Sequence, residues 1–183
     1  DGLIADLGVS SHHFDSPRRG FSFRFNSELD MRMNVKSGFS AREVLNQYSS
    51  EDLFRIFRQY GELKNAGCLA KGIIQYRQNS PVTEIRDLLD AISDCLPKRS
   101  ENQYLAKVFQ ALRIEVNDEL GSLRDLLNQS VDILKPGGRM VVISYHSLED
   151  RLVKNFFKSG NFEGRQIKDD FGNIHRPMKV ITK

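Results

Sequence analysis

Long apolar runs are missing from the chain. None approaches the length needed to cross a bilayer, which excludes an inserted membrane protein and leaves membrane out of the expected partners. Cysteine is scarce. Cys68 and Cys95 lie far apart and have no second ligand group at metal spacing, so a cysteine metal site is excluded and both read as buried thiols of a reducing compartment. Charge of one sign is not in excess either: a formal net charge of +3 does not by itself select nucleic acid over any other partner. Internal repeats and low-complexity tracts are absent. No secretory leader is read, because Asp1-Gly2 runs straight into Leu3-Ile4-Ala5; a start without methionine that leads into a core strand reads as a trimmed or incomplete chain.

What is present fits a globular protein. With 183 residues, 39% of them hydrophobic and 28% charged, the chain can bury a core as one ordinary domain or two small lobes. The distribution of charge says more than its sum. Arg18, Arg19, Arg24, Arg32, Lys36 and Arg42 fall in one early stretch, interleaved with Phe14, Phe21, Phe23 and Phe25. Such a mixture suits a surface that pairs phosphates and stacks on bases. Composition alone favours the plainer reading, a solvated loop whose aromatics are tucked into the core.

Leu3-Ile4-Ala5 followed by Asp6-Leu7-Gly8 reads as a short buried strand ending in an acid and a glycine-containing loop, an arrangement that binds ligands in α/β proteins. From His12 to Gly38 no period is sustained, and a long loop is expected. Ser40-Ala-Arg-Glu43 is a capping-box pattern, and helical stretches follow from Ser50, through 66–78, 84–92 and 103–116, broken at Ser80-Pro81 and Pro97. A further helix over about 118–134 ends at Lys135-Pro-Gly-Gly138, which turns the chain into Arg139-Met-Val-Val-Ile-Ser144. That strand is apolar on both faces, as a strand covered by helices on both sides would be. Leu148 to Phe157 reads as the next helix, and Met178 to Thr182 as an edge strand.

A helix, then Leu-Lys-Pro-Gly-Gly-Arg, then an apolar strand is a recurrent element of class I methyltransferases that use S-adenosyl-L-methionine. Taken with Asp1-Gly-Leu-Ile-Ala-Asp-Leu-Gly-Val-Ser-Ser11, Arg19-Gly-Phe-Ser-Phe23, Leu29-Asp-Met-Arg-Met33, Val108-Phe-Gln-Ala-Leu-Arg-Ile-Glu-Val-Asn117 and Val142-Ile-Ser-Tyr-His-Ser-Leu-Glu-Asp-Arg151, it closely resembles the MraW family, also called RsmH, over nearly the whole chain. The resemblance implies an α/β fold: a partial class I, Rossmann-like methyltransferase lobe (1–37 and 118–183) interrupted by an all-helical insertion domain (38–117). It implies a cytoplasmic enzyme that transfers a methyl group from S-adenosyl-L-methionine to the N4 amine of a cytidine in 16S ribosomal RNA. Partners would be that RNA or the small ribosomal subunit, with room left for a homodimer. The family also carries, upstream of its Asp-Leu-Gly-Val-Ser-Ser motif, a first strand, a Gly-Gly-His loop and a ribose-binding acid. None of these is present here, so the resemblance implies impaired cofactor binding unless another chain supplies them.

Methyl transfer to an exocyclic amine needs an in-line approach and acceptors that orient the NH2; no metal is required. Asp6 stands at a strand's carboxyl end, and the resemblance places it among the cofactor contacts, with a turn or helix cap as the structural alternative. The resemblance puts His13 where the family has a glutamine that touches the same ligand. His146 leaves the other central strand at its carboxyl end and borders the same cleft in this reading; a satisfied structural histidine is the alternative. Arg18, Arg19 and Arg32 are the candidates for phosphate contact. Tyr145 or an early phenylalanine could stack on a flipped base, with core packing the default. Arg113 reads as an internal ion-pair partner, and Glu149 and Asp150 as helix caps. No residue is assigned as catalytic. From another class, an RNA-binding or assembly module without catalysis is the alternative. A DNA amino-methyltransferase ranks lower, because its Asn/Asp-Pro-Pro-aromatic motif is absent.

Overall fold

The computed structural model describes residues 1–10, 19–36, 38–172 and 176–181. Among these residues the elements run β1 (Gly2–Asp6), α1 (Ala41–Gln47), α2 (Ser50–Gln59), α3 (Ala66–Arg77), α4 (Ile85–Ala91), a 3₁₀ turn (Ser93–Cys95), α5 (Glu101–Asn117), α6 (Glu119–Ile133), β2 (Arg139–Ile143) and α7 (Ser147–Ser159). The chain is thus mixed α/β. It divides into two compact units, one made of Asp1–Gly8 and Glu119–Lys183, the other of Val9–Asp118.

The helical unit holds most of the core. Leu53, Ile56 and Phe57 of α2 lie fully buried with Leu69 and Ile73 of α3, Leu88 of α4 and Val108 and Leu112 of α5, the 3.6-residue stripes of amphipathic helices turned inward. Capping follows the sequence pattern: the Ser40 backbone N–H donates to the Glu43 carboxylate at 2.7 Å, and the Ser49 hydroxyl accepts from the Asp52 N–H at 3.0 Å. At Gly72 any side chain would overlap the Ala91 carbonyl, so glycine is what allows α3 to lie against the end of α4.

One expectation is corrected here. Cys68, an exposed residue of α3, and Cys95, buried in the 3₁₀ turn, are joined in a disulfide across a separation of 27 residues. They are distant only along the chain, because α3 packs beside that turn. Residues 19–36 carry two of their aromatics into the core, as composition favours. Phe21 (4% exposed), Leu29 and Met31 are buried in the helical core, and Phe23 meets Phe109 edge-on at 5.4 Å between centroids. The compact units therefore part at 8/9, whereas the onset of helical periodicity sets a sequence boundary at 37/38.

In the other unit, β1 and β2 pair in parallel with Gly2 opposite Arg139 and Asp6 opposite Ile143. Gly137 (φ +85°) makes the turn into β2, and the Gly138 N–H donates to the Lys135 carbonyl at 2.8 Å. Exposure alternates along both strands, so one face is half-buried while Ile4 (77% exposed), Val141 and Ile143 stand open on the other. The expectation of a strand covered on both sides is corrected accordingly. Residues 178–181 form no strand among the described residues, which removes the expected edge strand.

Candidate ligand site at the strand ends

Parallel pairing in this register brings the carboxyl ends of β1 and β2 side by side, the position at which open α/β sheets hold ligands. The ladder runs one residue further, with the Leu7 N–H on the Ile143 carbonyl at 3.0 Å. Beyond it the two exits meet through side chains: the Tyr145 hydroxyl donates to Asp6 Oδ1 at 2.8 Å. The tyrosine ring lies over Gly8 (φ +85°), where an added Cβ would sit 3.3 Å from the Tyr145 Cδ2 atom. Asp6 is exposed and Tyr145 is 66% exposed, so both are within reach of a ligand. The hydrogen bond to the Asp6 carboxylate, and its negative charge, push the Tyr145 phenol above its ordinary range.

Below this pair lies a buried acid. Glu149 is 3% exposed; one carboxylate oxygen accepts the Tyr145 N–H at 3.0 Å and the other is 3.3 Å from His146 Nε2. His146 caps α7, its Nδ1 accepting the Glu149 N–H at 3.4 Å. The side-chain cap is thus His146, while Glu149 and Asp150 stand in the first turn of α7 at the positive end of its dipole, and Glu149 also fixes the exit of β2. Glu119, His146 and Glu149 each bring one potential ligand atom within 4.8 Å of the others. A neutral imidazole that accepts at Nδ1 carries its proton on Nε2, so the capping bond works against metal ligation there.

In the helical unit, Arg32 forms a fork on Asp30, with Nε on Oδ1 at 2.6 Å and a terminal nitrogen on Oδ2 at 3.3 Å. That bond raises the Arg32 pKa further above its ordinary value. Arg19 donates to the Arg32 and Met33 carbonyls and stands over the Phe21 ring at 5.7 Å. Both arginines hold 19–33 in shape. Asp6 and His146 belong to the strand unit and Arg19 and Arg32 to the helical one; His13 and Arg18 lie outside the described residues. No helix among the described residues is long and apolar enough to cross a membrane.

Sequence reasoning did not find the Tyr145–Asp6 pair, the burial of Glu149, or Glu115 of α5. Glu115 takes the Tyr48 hydroxyl and the Arg55 guanidinium, each at 3.0 Å. Burial and the Glu115 charge push the Tyr48 phenol up to about 12. One signal was available for the first pair: a polar residue just beyond each of two parallel strands.

A two-stranded parallel pair with an acid and an aromatic at its carboxyl ends, joined in sequence to a helical unit, defines an α/β protein with a candidate ligand site at its strand ends. Comparison with known proteins narrows that class. The MraW methylase family matches over residues 1–183, and the chain belongs to that family. It is 52% identical over 182 residues to a ribosomal RNA small subunit methyltransferase H from Parabacteroides distasonis, covering 100% of this chain and 60% of the relative. Proteins of the same name from Flavobacterium johnsoniae (52% over 183 residues, 61% of its length) and Amoebophilus asiaticus (54% over 183 residues, 59% of its length) are similar over the whole chain. The chain thus spans about 60% of the length of the curated relatives it matches.

Proposed function

We propose that the protein takes part in methylation of the N4 amine of a cytidine in 16S ribosomal RNA, with S-adenosyl-L-methionine as methyl donor, in the cytoplasm. The carrying observation is identity above 50% to proteins named ribosomal RNA small subunit methyltransferase H, along the whole chain. In this proposal 1–37 and 118–183 belong to a class I methyltransferase lobe and 38–117 to a helical insertion. The relatives' names favour this reading over an RNA-binding module without catalysis, and nothing among the matches or the described contacts speaks for a homodimer.

The strand-end residues suit the cofactor. An exposed carboxylate at the end of a parallel strand accepts hydrogen bonds from hydroxyl and amino groups and attracts a cation, and S-adenosyl-L-methionine offers all three. When bound, the cofactor supplies an electrophilic methyl on sulfur. Asp6 and His13 are the proposed cofactor contacts. Arg18, Arg19, Arg32 and His146 are the proposed RNA-side residues; a phosphate at Arg19 or Arg32 would compete with their bonds inside the loop, and one at His146 with the helix cap.

The test is calorimetric titration of the full-length protein with S-adenosyl-L-methionine, with and without Asp6→Ala, alongside methyl transfer to unmethylated small subunits read as N4-methylcytidine by mass spectrometry. Cofactor binding weakened about tenfold or more by the substitution is expected, as for loss of a charged hydrogen-bond acceptor. Unchanged binding would remove Asp6 from the site, and absence of N4-methylcytidine would remove the activity.

A further inference from the structure

We propose that Tyr145 is a positioning residue for Asp6: its phenol crosses from the exit of β2 to the exit of β1, fixes one carboxylate oxygen and leaves the other for a donor on the bound ligand. The inference rests on the proposed reading of Asp6 as a cofactor contact and assigns a second residue to that site.

An exposed aspartate at the end of a strand has two side-chain torsions to settle, and a ligand that needs one orientation must overcome the others. The Tyr145 hydroxyl, 2.8 Å from Asp6 Oδ1, removes much of that freedom in advance. It can do so only if it is itself held, and Tyr145 is held at three points although most of its surface is open. Its backbone N–H is taken by Glu149, an acid with 3% exposure whose other oxygen faces His146. Its ring rests over Gly8, where a side chain would press on the tyrosine ring. Its hydroxyl reaches the carboxylate. A tyrosine that served packing alone would have no need of an exposed hydroxyl bonded to an exposed acid.

The chemistry is consistent with a lasting donor. Asp6 raises the phenol's pKa, so Tyr145 keeps its proton and donates throughout the neutral range. The second carboxylate oxygen is left for the ligand. The class of ligand group it would take is a hydroxyl, an amine or a cationic centre, and the amino acid and ribose portions of S-adenosyl-L-methionine carry such groups.

The test is a double-mutant cycle on cofactor affinity in the full-length protein, with Tyr145→Phe, Asp6→Asn and both together. Tyr145→Phe keeps the ring over Gly8 and deletes only the hydroxyl. It should weaken cofactor binding about 3- to 10-fold, as for one lost hydrogen bond, and should add nothing once Asp6 is asparagine. A spectroscopic reading accompanies it. The ultraviolet titration difference between the unmutated protein and Tyr145→Phe isolates one phenol, and in the Asp6→Asn background that phenol should ionise at lower pH. Absence of cofactor binding by the unmutated protein would overturn the proposed function itself. Binding untouched by Asp6→Asn would overturn the role of Asp6. Binding weakened by Asp6→Asn but untouched by Tyr145→Phe, or weakened additively, would overturn the positioning role alone, as would a phenol that titrates alike in both backgrounds.

Discussion

Asn117 closes the end of α5 onto Met33: its Oδ1 accepts the Met33 N–H at 2.7 Å while its Nδ2 donates to the Met31 carbonyl at 2.8 Å. Two stretches that carry the family resemblance, Leu29 to Met33 and Val108 to Asn117, are therefore one structural device. Met31 sits at φ +57°, a left-handed conformation that a branch-free side chain tolerates only when its surroundings hold it. Asn117→Ala should cost about 1–3 kcal/mol, since two backbone groups lose their partner. Hydrogen exchange should accelerate at the Met33 amide well before it does in α2 or α3. Equal protection in the variant would show that the loop is held by other contacts.

The disulfide between Cys68 and Cys95 ties α3 to the 3₁₀ turn, and Asn65 strengthens that corner by donating to the Cys95 carbonyl at 3.0 Å. Closing a loop of this size is worth about 3.5 kcal/mol in the chain-entropy account. Adding a thiol reductant should lower the denaturant midpoint of the helical unit. Cys68→Ser should reproduce that shift and abolish the response to reductant. A midpoint indifferent to reductant, with two titratable thiols in the untreated protein, would show that the bond does not form in solution.

Asp87 accepts the Thr83 and Glu84 N–H groups and the Thr83 hydroxyl, each at 2.9 Å, and the Tyr76 hydroxyl at 3.1 Å. Burial disfavours its charged form, but the bonds from Glu84, Thr83 and Tyr76 together outweigh burial and the net pKa is lowered. A carboxyl whose folded pKa is depressed stabilises above its unfolded value, about 3.9, and loses that contribution as pH falls through the folded value. Asp87→Ala should therefore destabilise by about 1–2 kcal/mol near neutrality, as for loss of a helix cap. The deficit should shrink when urea titrations are repeated towards pH 2. A deficit constant with pH would assign the loss to packing instead of charge.

The helices were legible because each carries its own period and stop signals: Ser40 with Glu43 at one start, Lys135-Pro-Gly-Gly138 at one end. The first strand and its end were legible because an acid and a glycine follow Leu3-Ile4-Ala5. What joins distant parts of the chain was not. Asp6 and Tyr145 are 139 residues apart, and nothing in either segment encodes the register that brings them together. Cys68 and Cys95 were misread for the same reason. Core packing of Phe21 and Phe23 was legible from composition, but which helices they meet was not, because 19–36 has no period to place them. The fork of Arg32 on Asp30 was not legible either, because it closes over two residues within a turn whose geometry the sequence does not declare.

The unequal division of buried side chains between the two units has a thermodynamic consequence. In the strand unit, among the described residues, Leu120, Leu123, Leu127, Leu152 and Phe156 are the buried hydrophobics, while the contiguous core from Phe21 to Leu112 lies wholly in the helical unit. Each buried aliphatic or aromatic side chain contributes about 1.5–3 kcal/mol, so the strand unit has far less to set against its chain entropy. Its opening need not drag the helices with it. The strand unit, which holds Asp6, should therefore lose hydrogen-exchange protection at lower denaturant than the helical unit.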